Sequence, residues 1–346
     1  MTLSWALCIA TYNRAEVLRR ALRTAIGQTR PPAQVVIVDG SDDWAQSRDA
    51  ITAEGLDNDP SIGWTHEPAQ VRGLTYQRNQ GLSRVEADVV MLFDDDTLMY
   101  PDCAEAMMRV YETDVDGRVV GVQARRVPEP PDEPGATSPG GKRGQVARGG
   151  AVWAAVHRWF GVRRYLLPYE DEARGPLPEG LGGMGLVIAY SFRGAVMSYR
   201  AETIRSVGFE EALQRYAYLE DADASQRAAR HGLLVEAEGA RACHLEESSG
   251  REGRYPVIVM GGTNAMLLHR LHAADPESSR RSYRRLLGRR AWYQLAKDVK
   301  AGDLSLTGWR ATREARRRCD EIFSRPTDEL LPWYADYQAS LWEAAR

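Results

Sequence analysis

Apolar residues come in two rhythms along the first 125 positions. Short unbroken runs at residues 3–10, 34–38 and 89–93 are strand-sized and do not alternate, as in strands buried on both faces. Residues 62–66 and 119–123 are weaker versions of the same signal. Between the first two runs, Val17, Leu18, Ala21, Leu22 and Ala25 recur at helical spacing behind Asn13, predicting a capped helix over 14–26. Further helices are predicted over 44–54, over 71–84 and, after Pro101, over 102–111. Strands alternating with helices imply βαβ crossovers and a mostly parallel sheet.

The rhythm breaks at residue 127. Eight of the 17 prolines and 12 of the 31 glycines fall between Val127 and Gly185, which predicts an irregular insertion. Inside it, Val152, Trp153, Val156, Trp159 and Phe160 share one helical face. Order resumes with a strand at 191–199 and helices at 201–207 and 219–230, the latter stopping at His231-Gly232. Short strands at 233–238 and 240–245 follow. From Gly262 the pattern is helical to the end, with breaks near Pro276, Gly302 and Pro326. The expected divisions are 1–126, 127–185, 186–260 and 261–346.

Composition narrows the class. With 43% hydrophobic and 27% charged residues among 346, the chain is ordinary globular material. No apolar run approaches the roughly 18–20 residues of a membrane span. The N-terminus reads directly as a strand, so no signal peptide is expected. A net charge of −3 provides no global field for nucleic acid. Cys8, Cys103, Cys243 and Cys319 form no CxxC pair, which predicts reduced thiols and a cytoplasmic chain rather than a disulfide framework or zinc knuckle.

Polar clusters follow three of the buried runs: Thr11-Tyr12-Asn13-Arg14, Asp39-Gly40-Ser41-Asp42-Asp43 and Asp94-Asp95-Asp96. In open α/β sheets ligands bind beyond the carboxyl ends of the strands, and three such clusters on one edge indicate a site. Alternate side chains share a side, so Asp94 and Asp96 are expected to face one cleft. Carboxylate oxygens there suit Mn²⁺ or Mg²⁺; the competing reading is a solvated acidic turn.

The ordered set Cys8-Ile9-Ala10-Thr11-Tyr12-Asn13-Arg14, Val38-Asp39-Gly40-Ser41, Arg78-Asn79-Gln80-Gly81 and Phe93-Asp94-Asp95-Asp96 resembles family 2 glycosyltransferases of the GT-A fold. Arg193 to Arg200, Leu219-Glu220-Asp221-Ala222-Asp223 and His244 continue the resemblance, which covers about residues 3–247 without most of the insertion. It implies an α/β GT-A fold, Rossmann-like with a mixed central sheet and flanking helices, followed by a C-terminal helical region. It implies metal-dependent, inverting transfer of a sugar from a nucleotide-sugar donor, UDP- or dTDP-linked, to a hydroxyl of a saccharide, lipid-linked or natural-product acceptor. Thr11, Tyr12 and Arg14 would then line the nucleotide pocket, and Asp39 would accept N3–H of uracil or thymine. Arg78 would sit beside the base or diphosphate. Asp94 would face the ribose, Asp96 and His244 would bind the metal, and Asp95 would assist either. Asp221 is the implied general base and Glu220 the group that positions the acceptor. Both begin a helix, whose N-terminal dipole is expected to favour their ionised forms, though acidic residues in a first turn are also routine capping.

Two rival readings carry less. A sugar-nucleotide nucleotidyltransferase calls for a Gly-rich loop after the first strand, and here no glycine occurs before Gly27. An inactive nucleotide-sugar or partner-binding module is disfavoured by intact carboxylates at 94–96 and 220–221. His66, His157, His231, His269 and His272 are read as structural or exposed. Arg251 and Arg254 are expected in a polar loop able to close over the diphosphate. Between Arg270 and Arg318 stand 14 basic and five acidic residues. This stripe is read first as a solvated face, with peripheral contact to the inner face of a membrane, a phosphate-bearing acceptor and a homodimer interface as alternatives.

Overall fold

The computed structural model describes residues 2–131, 166–170, 175–214, 217–246 and 253–343. Two compact units emerge. The first is drawn from Met1–Gly144, Arg174–Glu211 and Glu220–Ser248; the second from Gln145–Ala173, Ala212–Leu219 and Ser249–Arg346.

The first unit opens with strand β1 (Trp5–Thr11), helix α1 (Ala15–Ile26), β2 (Gln34–Asp39), α2 (Trp44–Ala53), β3 (Gly63–Pro68), α3 (Leu74–Leu82) and β4 (Val89–Phe93). β5 (Thr97–Met99), α4 (Cys103–Thr113), β6 (Val119–Arg126), β7 (Leu186–Ile188), β8 (Val196–Arg200), α5 (Ala201–Val207), α6 (Glu220–Ala228) and β9 (Leu233–His244) complete it. The sheet runs β3-β2-β1-β4-β8-β6-β9-β5, with β7 added against β9. β3, β2, β1 and β4 are parallel, while β8 runs antiparallel to both β4 and β6, so the sheet is mixed.

The buried runs behave as two-faced strands. Trp5, Leu7 and Ile9 join Leu18, Leu22, Met107 and Tyr111 in one core layer. Ala6 and Cys8 join Leu82, Ile204 and Ala224 in the other. Both faces of β1 are therefore covered by helices, and its carboxyl end is left to carry polar chemistry. Gly81 sets how close α3 lies: a Cβ there would stand 2.5 Å from Cys8 Sγ.

Several boundaries differ from expectation. β5 and β7 are three residues each, too short to leave a period. The two short strands after residue 232 form one strand, β9. Its pairing with β6 jumps from Ala124↔Ala237 to Arg125↔Arg241, so the stretch around Gly239 bulges out of the ladder. α3 starts at Leu74 because Gly73 takes φ +153°. The helix expected from residue 262 begins at Arg254.

The second unit is helical: α7 (Arg254–His272), α8 (Pro276–Lys300), α9 (Thr307–Ser324) and α10 (Thr327–Glu343). Asp275 caps α8 by accepting from Ser278 N at 2.9 Å. Arg254 is not in a loop; it opens α7 and pairs with buried Asp298 at 2.6 Å and with Asp303 at 3.1 Å. Arg280 and Arg284 share Asp320 at 2.7 and 3.3 Å, so part of the basic stripe is neutralised between α8 and α9. Arg251 and the apolar face at 152–160 lie outside the described residues. Among the described residues, no helix is long and apolar enough to cross a membrane.

Candidate active site

Asp94, Asp95 and Asp96 occupy a tight turn between β4 and β5, closed by Thr97 N donating to Asp94 O at 3.0 Å. β5 pairs with β9 so that Thr97 lies opposite His244, and Leu245 N donates to Asp96 O at 3.0 Å. That register sets His244 Nε2 2.8 Å from Asp96 Oδ1 and 3.7 Å from Asp94 Oδ2. One ligand atom from each of the three residues falls within a 4.8 Å span. Burial pulls the His244 pKa down, but the bond to Asp96 and the charges of Asp96 and Asp94 outweigh it and hold the imidazolium above its ordinary range. Two carboxylates and an imidazole converging this closely fit a divalent cation, which would take the place of the proton between them.

Asp95 points elsewhere. It accepts from Thr11 Oγ1 at 2.7 Å and from Arg14 Nη1 at 3.0 Å, fastening the end of β1 to the acidic turn. Burial pushes its carboxyl up to about 6 against the pull of Arg14. It is thus brought to Thr11 and Arg14 and not into the Asp94–Asp96–His244 group.

Thr11, Tyr12, Arg14 and Asp39 meet at the neighbouring strand ends. Gln77 Nε2 donates to Thr11 O and Val38 O, both at 2.9 Å, locking the ends of β1 and β2 together. Asn13 adopts φ +53°, and its N–H donates to Ser41 Oγ at 2.7 Å. Tyr12 is half exposed with Arg72 5.7 Å over its ring. Asp39 is buried; Oδ1 accepts from Ser41 N at 2.8 Å and Oδ2 lies 3.4 Å from His66 Nε2. Burial works to raise the Asp39 pKa, but the His66 and Ser41 hydrogen bonds win and hold it low. His66, read from sequence as structural, therefore belongs to the site. Its signal was positional: it stands near the carboxyl end of β3, opposite Ile37 of β2.

Arg78 links this region to the acidic helix start. Nη1 donates to Glu220 Oε1 at 2.6 Å; Nη2 donates to Asp94 Oδ1 at 2.9 Å and to Gly194 O at 3.2 Å. Asp221 Oδ2 accepts from Gly194 N at 2.8 Å and Oδ1 from Ala222 N at 2.7 Å. A Cβ on Gly194 would lie 3.1 Å from Glu220 Oε1. The helix dipole does not decide the charge here. Burial, with the neighbouring Asp221, pushes Glu220 up to about 8, and burial raises Asp221 as well. Leu219, immediately before Glu220, holds φ +84°, a strained backbone of the kind that gathers at functional sites.

Residues 6–168 match the sequence model of glycosyl transferase family 2. The chain is 29% identical over 122 residues to a glucosyl-dolichyl phosphate glucuronosyltransferase of Haloferax volcanii, covering 35% of this chain and 37% of that protein. It is 31% identical over 118 residues to an uncharacterised glycosyltransferase of Nostoc sp., covering 34% of each. The matched region thus spans about a third of these relatives' length. Among solved structures, the mannosyltransferase PcManGT of Pyrobaculum calidifontis, in complex with GDP-Man and Mn²⁺, superposes with TM-score 0.51 at 15% identity, covering 99% of this chain and 88% of that one. S. aureus TarS 1–349, in complex with UDP-GlcNAc, gives 0.53 at 13% identity, covering 97% and 88%. At these identities the likeness speaks for the fold alone, the GT-A architecture, and the match to the glycosyl transferase family 2 model extends over residues 6–168 of the 346.

Proposed function

We propose that the chain transfers a glycosyl group from a nucleotide-sugar donor to an acceptor hydroxyl, inverting the anomeric centre. One observation carries this reading: the Asp94–Asp96–His244 group and the Glu220–Asp221 pair are joined through a single guanidinium, Arg78. Asp96 and His244, with Asp94, would hold a Mn²⁺ or Mg²⁺ ion. Such an ion, when bound, supplies Lewis-acid stabilisation of charge on a leaving diphosphate.

The chain's own residues supply the rest. Asp39, kept ionised, accepts N3–H of uracil or thymine, which favours UDP- or dTDP-sugars. Tyr12 offers an exposed ring to the base, and Thr11, Arg14 and Asp95 brace the nucleotide side. Asp221 takes the proton from the acceptor hydroxyl; its burial raises its pKa toward neutrality, where a carboxylate is a stronger base. Glu220, fixed by Arg78, positions the acceptor. The relative acting on a glucosyl-dolichyl phosphate, and neighbours solved with GDP-Man and UDP-GlcNAc, support a nucleotide-sugar donor and admit a lipid-linked acceptor.

The test is thermal stabilisation by UDP, dTDP, GDP and CMP, each with and without Mn²⁺, since a ligand of the folded state raises stability by mass action. A Mn²⁺-dependent rise with UDP or dTDP is expected. No rise with any nucleotide at saturating concentration overturns the reading.

A further inference from the structure

α8 buries Tyr283, Leu287, Arg290, Gln294 and Asp298 along one side. The opposite side is formed by Arg281, Arg285, Trp292, Ala296 and Val299, all exposed and all within about 60° of one another at 100° per residue. Trp292 is 69% exposed and Val299 66%. Leu304, 97% exposed, follows in the turn beyond the helix. A solvent-facing stripe on a soluble helix ordinarily carries charges of both signs. Between Arg281 and Val299 this one carries no acid; Glu277, one turn before Arg281, lies 3.6 Å from Arg280. Arg280 and Arg284, one position back, are neutralised by Asp320. Among the described residues, neither Arg281 nor Arg285 meets a carboxylate, and exposed Lys300 follows Val299.

We infer that this outward stripe of α8 is a seat for an anionic lipid surface. Tryptophan and aliphatic tips enter the headgroup boundary, and long basic side chains reach back to the phosphates. The stripe runs about 27 Å along the helix, so it lies flat on such a surface. A second copy of the chain fits poorly. An antiparallel pairing brings Arg281 to the Lys300 end, and a parallel one sets Arg281 against itself; like charges are unfavourable in both.

The purified full chain is mixed with vesicles of phosphatidylcholine alone, or of phosphatidylcholine with phosphatidylglycerol, and the vesicle-bound fraction is pelleted. Binding is expected with the anionic vesicles only, and weaker as salt rises. The pair Trp292→Ser and Val299→Ser, and separately the pair Arg281→Ser and Arg285→Ser, should each lower partitioning by about tenfold. All four side chains are exposed, so the fold tolerates the changes, and circular dichroism checks that it does. Arg109→Ser, an exposed change on α4, should leave partitioning unchanged. No pelleting with anionic vesicles overturns the inference. So does pelleting that neither stripe pair weakens, or a dimer broken by Trp292→Ser in a chain that ignores anionic lipid.

Discussion

Arg78 Nη1 lies 2.6 Å from Glu220 Oε1, a buried charge-assisted hydrogen bond between residues 142 positions apart. The other terminal nitrogen of the same guanidinium lies 2.9 Å from Asp94. One planar fork thus ties α3, the acidic turn and the start of α6 together, a geometry that a lysine's single ammonium does not reproduce.

Removing that cation leaves Asp94 and Asp221 without their shared counter-charge and Glu220 without its buried donor. Arg78→Ala should destabilise the protein by about 3–5 kcal/mol, the range for breaking a buried pair from one side. Glu220→Gln should be milder, because the amide oxygen still accepts from Arg78. Urea midpoints measure both. An Arg78→Ala midpoint equal to wild type would show that the pair does not form.

The same pair sets a pH dependence. Glu220 is raised from 4.5 to about 8 in the folded chain by burial and the adjacent Asp221. Between those values the folded state holds a proton that the unfolded state has released. Stability contributed by this group is full below pH 4.5 and is lost as pH rises toward 8. Metal-free protein should therefore lose stability across that window, and Glu220→Gln should flatten the loss. Melting temperatures through the window, for both proteins, give the comparison; parallel curves would remove Glu220 as the source.

Asp96→Ala and His244→Ala should each weaken Mn²⁺-supported nucleotide binding by about tenfold or more, since each removes a ligand atom from the convergent group. Wild-type binding should also weaken as pH falls, because the metal must displace the proton that Asp96 helps to hold on His244. Calorimetry with and without Mn²⁺ reads both effects. Unchanged metal dependence in either variant takes that residue out of the site.

Much of this was legible in the chain. The runs at 34–38 and 89–93 mark β2 and β4, because strands buried on both faces need unbroken apolar sequence. Asp94, Asp96 and His244 were identifiable as a group only through the family resemblance, since 150 positions separate Asp94 from the register partner of Thr97 and no local pattern encodes strand pairing. β5 is three residues long and leaves no period. α7 begins at Arg254, eight residues before the expected start at Gly262. In the fold, Gly262 allows close packing: a Cβ there would stand 2.6 Å from the Ala315 side chain of α9. The upward pKa shifts of Glu220 and Asp221 are not legible in the chain, because a helix dipole is readable from sequence and burial is not.

Asp221→Asn separates binding from chemistry. The asparagine oxygen can still accept one of the two backbone N–H groups, from Gly194 or Ala222, so the helix start should hold. It cannot take a proton from a hydroxyl. Transfer should fall by at least about a hundredfold, the usual weight of a general base, while nucleotide affinity stays within about twofold. Normal turnover in Asp221→Asn would assign the base elsewhere.

His66 offers the finest test of the nucleotide side. Its imidazole is buried, with Nε2 3.4 Å from Asp39 Oδ2 and the ring edge-on to Trp44 at 5.9 Å. With Ser41 it fixes both oxygens of Asp39 and opposes the effect of burial on that carboxyl. His66→Ala should free Oδ2 to rotate and weaken UDP binding by about fivefold, equivalent to ~1 kcal/mol for one lost orienting hydrogen bond. Because the reacting groups are untouched, KM for the donor should rise while kcat stays near wild type. Asp39→Asn should weaken UDP binding further, since an amide presents a donor as well as an acceptor to the base. If His66→Ala binds UDP as wild type does while Asp39→Asn fails, Asp39 holds its orientation through Ser41 alone and the imidazole serves only to fill the space beside Trp44.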